Sequence, residues 1–237
     1  MKKLRVGVFG ACGKMGQEVT GLLKGSEFLD AAVGVSLAQK AVGYRNVSDV
    51  LMDTMSNETD VWIDFSLPGG FDQIVDFCIK WKKPLISGTT GLSEIQHQKI
   101  KDAGKIIPIL WSSNMSLGIV ALKKAIEAFA ILNNFDFQIE EIHHKMKLDK
   151  PSGTAVTLQT QLQRIVGAKE IPSPLSMRGG GVFGVHKVWA FSQEEVLCFE
   201  HQALTRSVFA RGALWAAQNI STRQPGIYTL EELIDWP

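Results

Sequence analysis

The stretch LRVGVFGACGKMG, residues 4–16, leaves this chain few folds to choose from. A short apolar run of strand character ends in Gly10, Gly13 and Gly16, spaced G-x-x-G-x-x-G, and then passes into GQEVTGLLKG, whose apolar residues recur at helical spacing. Strand, glycine turn and helix in that order open a βαβ unit. A tight glycine turn lets the backbone approach a pyrophosphate, and the helix start behind it supplies N–H groups and the positive end of a dipole. Cys12 replaces the middle glycine of the commoner G-x-G-x-x-G spacing.

The same alternation continues to about residue 111. Strands are expected at Leu4–Phe9, Ala31–Val35, Asp60–Phe65, Pro84–Ser87 and Ile106–Trp111, nearly continuous in apolar character, as strands covered on both faces should be. Segments of helical period lie between them, including SDVLMDTMS and GGFDQIVDFCIKW, and Ser93 with Gln96 forms a capping box after GTTG. The expectation is a Rossmann-type doubly wound parallel sheet. Two further loops, SGTTG (Ser87–Gly91) and SSNMS (Ser112–Ser116), follow strands at the edge where such sheets bind ligands. The segment after the second strand, GVSLAQKAVG, has no acid to hold a ribose. Ser36 and Lys40 there are candidates for a 2′-phosphate, favouring NADPH, with a solvated loop as the other reading.

After Trp111 the pattern changes. SLGIVALKKAIEAFAILNN reads as one long amphipathic helix capped by Ser116, and FDFQIEEI alternates as a strand through Ile142. Pro151 and Ser152 announce a new helix, HKVWAF-SQEE-VLCFEHQ reads as an antiparallel hairpin, and a helix is expected near Ser207–Ile220. Thr229 and Glu232 make a second capping box. The expected organisation is a dinucleotide-binding domain of residues 1–113 and 207–237, interrupted by an α+β domain of residues 114–206 for substrate binding and oligomerisation.

Bulk properties narrow the function. A formal net charge of +1 over 237 residues offers no general attraction to nucleic acid or to an anionic membrane. No window approaches the ~18 uninterrupted apolar residues of a membrane span, and the N-terminal apolar run, cut by Arg5 and two glycines, does not read as a signal peptide. Cys12, Cys78 and Cys198 are scattered and odd in number, which fits a reducing cytoplasm better than a disulfide framework or a zinc site.

The densest chemistry lies in EEIHHKMKLDKPSGTA, Glu140–Ala155. A metal site is disfavoured because no His-x-x-x-His, cysteine pair or acidic cluster accompanies the two histidines. A solvated basic loop accounts for Lys145 and Lys150, but Pro-Ser-Gly-Thr before a helix makes an anion pocket. Alternation puts His143 and His144 on opposite faces if the strand persists. For Arg178 and Arg206 a structural ion pair is the expected role.

Six segments together resemble the dihydrodipicolinate reductase family. The pattern E-x-H-H-x-x-K-x-D-x-P-S-G-T-A is met from Glu141 to Ala155, supported by GACGKMG, by DFS-x-P at Asp64–Pro68, and by GTTG, SSNMS and SMRGGG at Ser176–Gly181. The resemblance spans essentially the whole chain. It implies NADPH- or NADH-dependent reduction of a cyclic dicarboxylic imine on the diaminopimelate route to lysine, by a cytoplasmic enzyme that is usually tetrameric. It further implies that His143 is the acid/base, that Lys147 is a proton donor, and that His144, Gly153 and Thr154 contact substrate. Gly10, Ala11, Cys12, Gly13, Lys14 and Met15, with Gly88, Thr89, Thr90, Ser112, Ser113, Asn114 and Met115, correspond to the family's cofactor contacts; no metal is implied. Val185 stands where relatives commonly have Glu, and Met115 where Phe is common. The other readings are another NAD(P)-dependent dehydrogenase of similar architecture, or a non-catalytic NAD(P)-sensing protein.

Overall fold

The computed structural model describes residues 3–36, 45–46, 58–167 and 170–236, with backbone alone for 30–36 and 45–46. The chain divides into two compact units, one of Met1–Met115 with Phe209–Pro237, the other of Ser116–Val208. The expected helix at 48–56 and Lys40 lie outside the described residues, as does the side chain of Ser36.

The first unit is built on a seven-stranded sheet of β1 (Leu4–Phe9), β2 (Leu29–Ser36), β3 (Arg45–Asn46), β4 (Val61–Asp64), β5 (Leu85–Ser87), β6 (Pro108–Trp111) and β11 (Gly226–Tyr228). Its order is β11-β6-β5-β4-β1-β2-β3 and every neighbouring pair is parallel. The strand order reverses between β1 and β4, the switch point beside which such sheets leave a crevice. Val6, Val8, Val61, Trp62 and Ile63 are wholly buried, as near-continuous apolar strands require. Helices α1 (Lys14–Leu23), α2 (Pro68–Trp81) and α3 (Glu94–Ala103) connect the strands. On α2, Phe71, Ile74, Val75 and Cys78 recur at helical spacing and pack with Trp62, Leu85 and Ile109. The Ser93–Gln96 capping box is formed in both directions. The strand β11, which sequence periodicity did not reveal, is three residues long.

The second unit holds α4 (Leu117–Ala125), β7 (Asp136–His143), α5 (Gly153–Val166), β8 (Leu175–Arg178), β9 (Val185–Phe191) and β10 (Val196–Gln202). Ser116 caps α4 as expected, but the long helix does not continue; Ile126–Ile131 tightens into a 3-10 turn. In that geometry residues three apart eclipse, which turns Ile126 and Phe129 together into the core. The sheet order is β10-β9-β7-β8, with the expected hairpin between β9 and β10 and an unexpected parallel pairing of β8 with β7.

The inner face of this sheet changes character row by row. Phe137 opposes Ala190, Ile139 opposes Val188, and these rows pack under Ile119, Leu122, Leu158 and Leu162. The next row is polar, with Glu141 opposite His186 and His186 opposite His201, and His143 then pairs with Arg178 at the end of β7. The helices therefore cover the apolar rows, and the polar end of the face becomes a place for chemistry. Helix α6 (Ser207–Ile220) leads out of this unit into the first.

Candidate functional site

The glycine loop in the first unit is shaped by close approaches. Gly10 has φ +82°, and Gly13 N–H donates to the Gly10 carbonyl at 2.9 Å, closing the turn. A Cβ on Gly16 would fall 2.2 Å from the Gly10 carbonyl oxygen, so helix and turn meet at a distance only glycine permits. Gly13 is the N-cap of α1, with no side-chain cap and no acid in the first turn. Lys14 and Met15 form that turn, Ala11 is buried and Cys12 is half-buried. The start of α1 thus presents its N–H groups and dipole to an anion, and these residues fit the pyrophosphate of a dinucleotide.

The other two loops follow β5 and β6 in the same sheet. Asp64, buried at the end of β4, accepts from Ser66 N–H at 2.9 Å, from Ser87 Oγ at 2.7 Å and from Thr89 Oγ1 at 2.8 Å, while Gly88 N–H donates to the Asp64 carbonyl at 2.8 Å. Burial pushes the Asp64 carboxyl above its ordinary range, against the pull of those donors. Trp111 Nε1 donates to the Thr89 carbonyl at 2.8 Å. Ser112 Oγ donates to the Asn114 carbonyl at 2.7 Å, folding Ser112–Asn114 into a compact turn that leads to buried Met115. Thr90 and Ser113 are exposed.

In the second unit, His143 is buried at the end of β7, its Nδ1 against Glu141 Oε2. Glu141 is fully buried, and Arg178 grips it with Nη1 to Oε2 at 2.8 Å and Nη2 to Oε1 at 2.7 Å. Burial alone would raise the Glu141 carboxyl; the Arg178 fork, with Ser176 and His143, more than offsets it and holds the group at about 2. Burial lowers the His143 imidazole from its ordinary value, opposed by Glu141 and assisted by the charges of Lys147 and Arg178.

The loop after β7 carries Lys147, whose Nζ pairs with Asp149 at 2.9 Å, and whose backbone N–H donates to the His144 carbonyl at 3.0 Å. The glycine-rich segment runs alongside, with Gly179 N–H donating to the His143 carbonyl at 3.0 Å. Ser152 caps α5 by accepting from Ala155 N–H at 3.3 Å, and its own N–H donates to Glu141 Oε1 at 3.3 Å. That bond brings the start of α5, with Gly153 and Thr154, to the His143 end of the sheet. His144 is half-buried just past the strand, while Lys145 and Lys150 are exposed. Arg206 lies over the Phe183 ring, 5.1 Å from its centroid.

Sequence reasoning assigned no part to Glu141 or His186. His186 lies beside His143, ring centroids 5.1 Å apart, with Nε2 3.4 Å from Ser152 Oγ. Burial pushes its imidazole down to about 3, and its Nδ1 has no partner among the described residues. The alternation in FQIEEIH already placed Glu141 on the face of Ile139 and His143, a signal that could have singled out this acid. No metal-binding cluster of three or more His, Cys, Asp or Glu occurs among the described residues, and no helix there is long and apolar enough to cross a membrane.

A family described as dihydrodipicolinate reductase, N-terminus, matches residues 4–115, and one described as dihydrodipicolinate reductase, C-terminus, matches residues 118–234. The chain belongs to the dihydrodipicolinate reductase family. A 4-hydroxy-tetrahydrodipicolinate reductase of Bdellovibrio bacteriovorus is 43% identical over 234 residues, spanning 99% of this chain and 97% of the relative. One of Stenotrophomonas maltophilia K279a is 40% identical over 238 residues, spanning 98% of each. Among solved structures, a dipicolinate-bound dihydrodipicolinate reductase of Paenisporosarcina sp. TG-14 has a TM-score of 0.81 at 19% identity, covering 98% of this chain and 100% of that one. A diaminopimelate dehydrogenase of C. glutamicum shares the fold at a TM-score of 0.60 and 12% identity, over 100% of this chain and 97% of its own. Membership of the dihydrodipicolinate reductase family makes the chain an NAD(P)H-dependent oxidoreductase.

Proposed function

We propose that the chain reduces 4-hydroxy-tetrahydrodipicolinate to tetrahydrodipicolinate, with His143 and Lys147 as its proton-handling groups. The observation that carries this reading is the convergence of His143, Lys147 and the start of α5 at the polar end of one sheet face. NAD(P)H, when bound, supplies the hydride. What the chain supplies is binding and a proton. The substrate carries two carboxylates, and their desolvation requires paired charge or hydrogen bonds. His144, Gly153 and Thr154, at the strand end and in the first turn of α5, hold one of them through side-chain and backbone donors and the helix dipole. Lys147, paired with Asp149 at 2.9 Å, provides the cation for the other and a second source of protons. The 4-hydroxyl leaves as water with a hydrogen from the neighbouring carbon, and as the hydride enters at that position His143 delivers a proton from Nε2 to the carbon or nitrogen that gains electron density.

On the first unit, Gly10 to Met15 cradle the pyrophosphate, and Gly88 to Thr90 with Ser112 to Met115 receive the nicotinamide half. The missing acid after β2 supports NADPH over NADH. The outer face of the second sheet exposes Leu175, Met177, Phe191 and Val196, with Trp189 and Phe191 stacked at 5.8 Å, which supports a homotetramer assembled through this unit. Coupling the purified chain to the synthase that makes its substrate should give absorbance loss with either cofactor, with a higher kcat/KM for NADPH. A folded, cofactor-binding preparation that consumes neither would defeat the reading.

A further inference from the structure

Glu141 and Arg178 form a buried pair that none of the steps above employs. We propose that they are positioning residues, Glu141 setting the ring orientation and tautomer of His143, and Arg178 locking Glu141 and the Lys147 loop into one frame. This rests on the reading of His143 as the proton donor.

Both oxygens of Glu141 are committed. Oε1 accepts from Arg178 Nη2 at 2.7 Å and from Ser152 N–H at 3.3 Å; Oε2 accepts from Arg178 Nη1 at 2.8 Å and faces His143 Nδ1. A carboxylate only accepts, so His143 must carry a hydrogen on Nδ1. That leaves Nε2 as the nitrogen that gains and gives up a proton, and it lies toward Gly184, 3.1 Å from where a Cβ there would stand.

The guanidinium does more than neutralise a charge. Arg178 Nε donates to the Lys147 carbonyl at 3.2 Å, Nη1 also to the Met177 carbonyl at 2.7 Å, and Nη2 also to the Asp149 carbonyl at 2.5 Å. One planar fork therefore spans β8, the buried acid of β7 and the backbone on either side of Leu148. A lysine at 178 would keep the charge but not the fork. A buried ion pair kept for stability alone is readily exchanged for apolar packing, whereas this one aims a histidine and anchors a lysine-bearing loop. The groups facing His143 are Glu141 on its own strand, Arg178 from β8, Lys147 from the loop and His186 from β9.

The test uses the full chain carrying Glu141→Gln, Glu141→Asp, Arg178→Lys or His143→Gln. It reads kcat and its pH profile, NAD(P)H affinity, and the His143 tautomer from imidazole ¹⁵N shifts. Glu141→Gln is expected to lower kcat about 100-fold or more, within the range general acid catalysis supplies. Its NAD(P)H affinity should be unchanged, and its His143 should leave the Nδ1–H tautomer, with Glu141→Asp recovering part of both. Arg178→Lys is expected to lower kcat and shift the pH profile. A folded Glu141→Gln with the parent kcat overturns the proposal, as does a kcat loss with unchanged His143 shifts. Should Glu141→Gln not fold, an Arg178→Lys variant with the parent pH profile and tautomer overturns it equally. His143→Gln with full kcat removes the acid assignment itself, while an inactive His143→Gln beside a fully active Glu141→Gln removes only the positioning role.

Discussion

Thr89 Oγ1 donates to the buried Asp64 carboxylate at 2.8 Å, tying the loop after β5 to the end of β4. The same carboxylate holds Ser87 Oγ and Ser66 N–H, so donors from the loop after β4, the end of β5 and the loop after β5 share one acceptor group at the carboxyl edge of the sheet. Asp64→Asn keeps the shape and replaces one oxygen with a donor that opposes those already there. Each buried donor left unmatched costs about 1–3 kcal/mol, so a loss of that order is expected in urea unfolding. The Gly88–Thr90 turn should loosen with it, and the affinity for NAD(P)H, measured by fluorescence titration, should fall.

Helix α1 supplies its own control for the glycine loop. A Cβ on Gly16 would meet the Gly10 carbonyl oxygen at 2.2 Å, whereas one on Gly21, in the same helix, would meet nothing within 4 Å. Gly16→Ala should therefore push the turn away from the helix start and weaken NAD(P)H binding roughly tenfold or more, the cost of ~1.4 kcal/mol in lost contacts. Gly21→Ala should leave binding alone and raise stability by about 0.5–1 kcal/mol, the ordinary gain for a helix interior. Equal binding losses in the two variants would mean that the loop does not hold the cofactor.

The contrast between these loops and the Glu141–Arg178 pair shows what a single sequence discloses. Gly10, Gly13 and Gly16 are local to one strand, one turn and one helix, so their spacing alone predicts their geometry. Arg178 meets Glu141 across 37 residues of chain, through a parallel pairing of β8 with β7. That strand is four residues long, LSMR, and only half-buried on its inner side, too short for periodicity to reveal. The three-residue β11 was missed for the same reason, and the 3-10 turn at Ile126–Ile131 because Ile126 and Phe129 suit either helix type. The loops at the carboxyl edge of the first sheet and the strand that ends at His143 were readable; the contacts that orient His143 and the Lys147 loop were not.

His143 and Lys147 both stand in the second unit, apart in sequence from the glycine loop of the first. His143→Ala and Lys147→Ala should therefore reduce kcat by roughly 10²- to 10⁴-fold, the range of a lost proton donor, with little change in NAD(P)H dissociation constant. Lys147→Ala should also raise the substrate KM, since it removes the cation proposed to face a substrate carboxylate. Loss of NAD(P)H affinity with kcat intact would move the chemistry elsewhere.

The buried row of β7 and β9 makes the second unit sensitive to acid. His186 is held at about 3 instead of the ordinary 6.5, so between those values the unfolded chain binds a proton that the folded chain refuses. Stability therefore falls as pH drops through this window. Glu141, held at about 2 instead of 4.5, acts with the same sign at lower pH, because its ion pair with Arg178 is lost only as the carboxylate is protonated. Urea unfolding at a series of pH values should show stability highest above about 6.5 and declining on acidification, first through the histidines and then through Glu141. His186→Asn removes the first contributor and should flatten the upper part of that decline while leaving the lower part in place. An unchanged slope between pH 6.5 and 4.5 in a folded His186→Asn variant would show that His186 is not the group resisting protonation there.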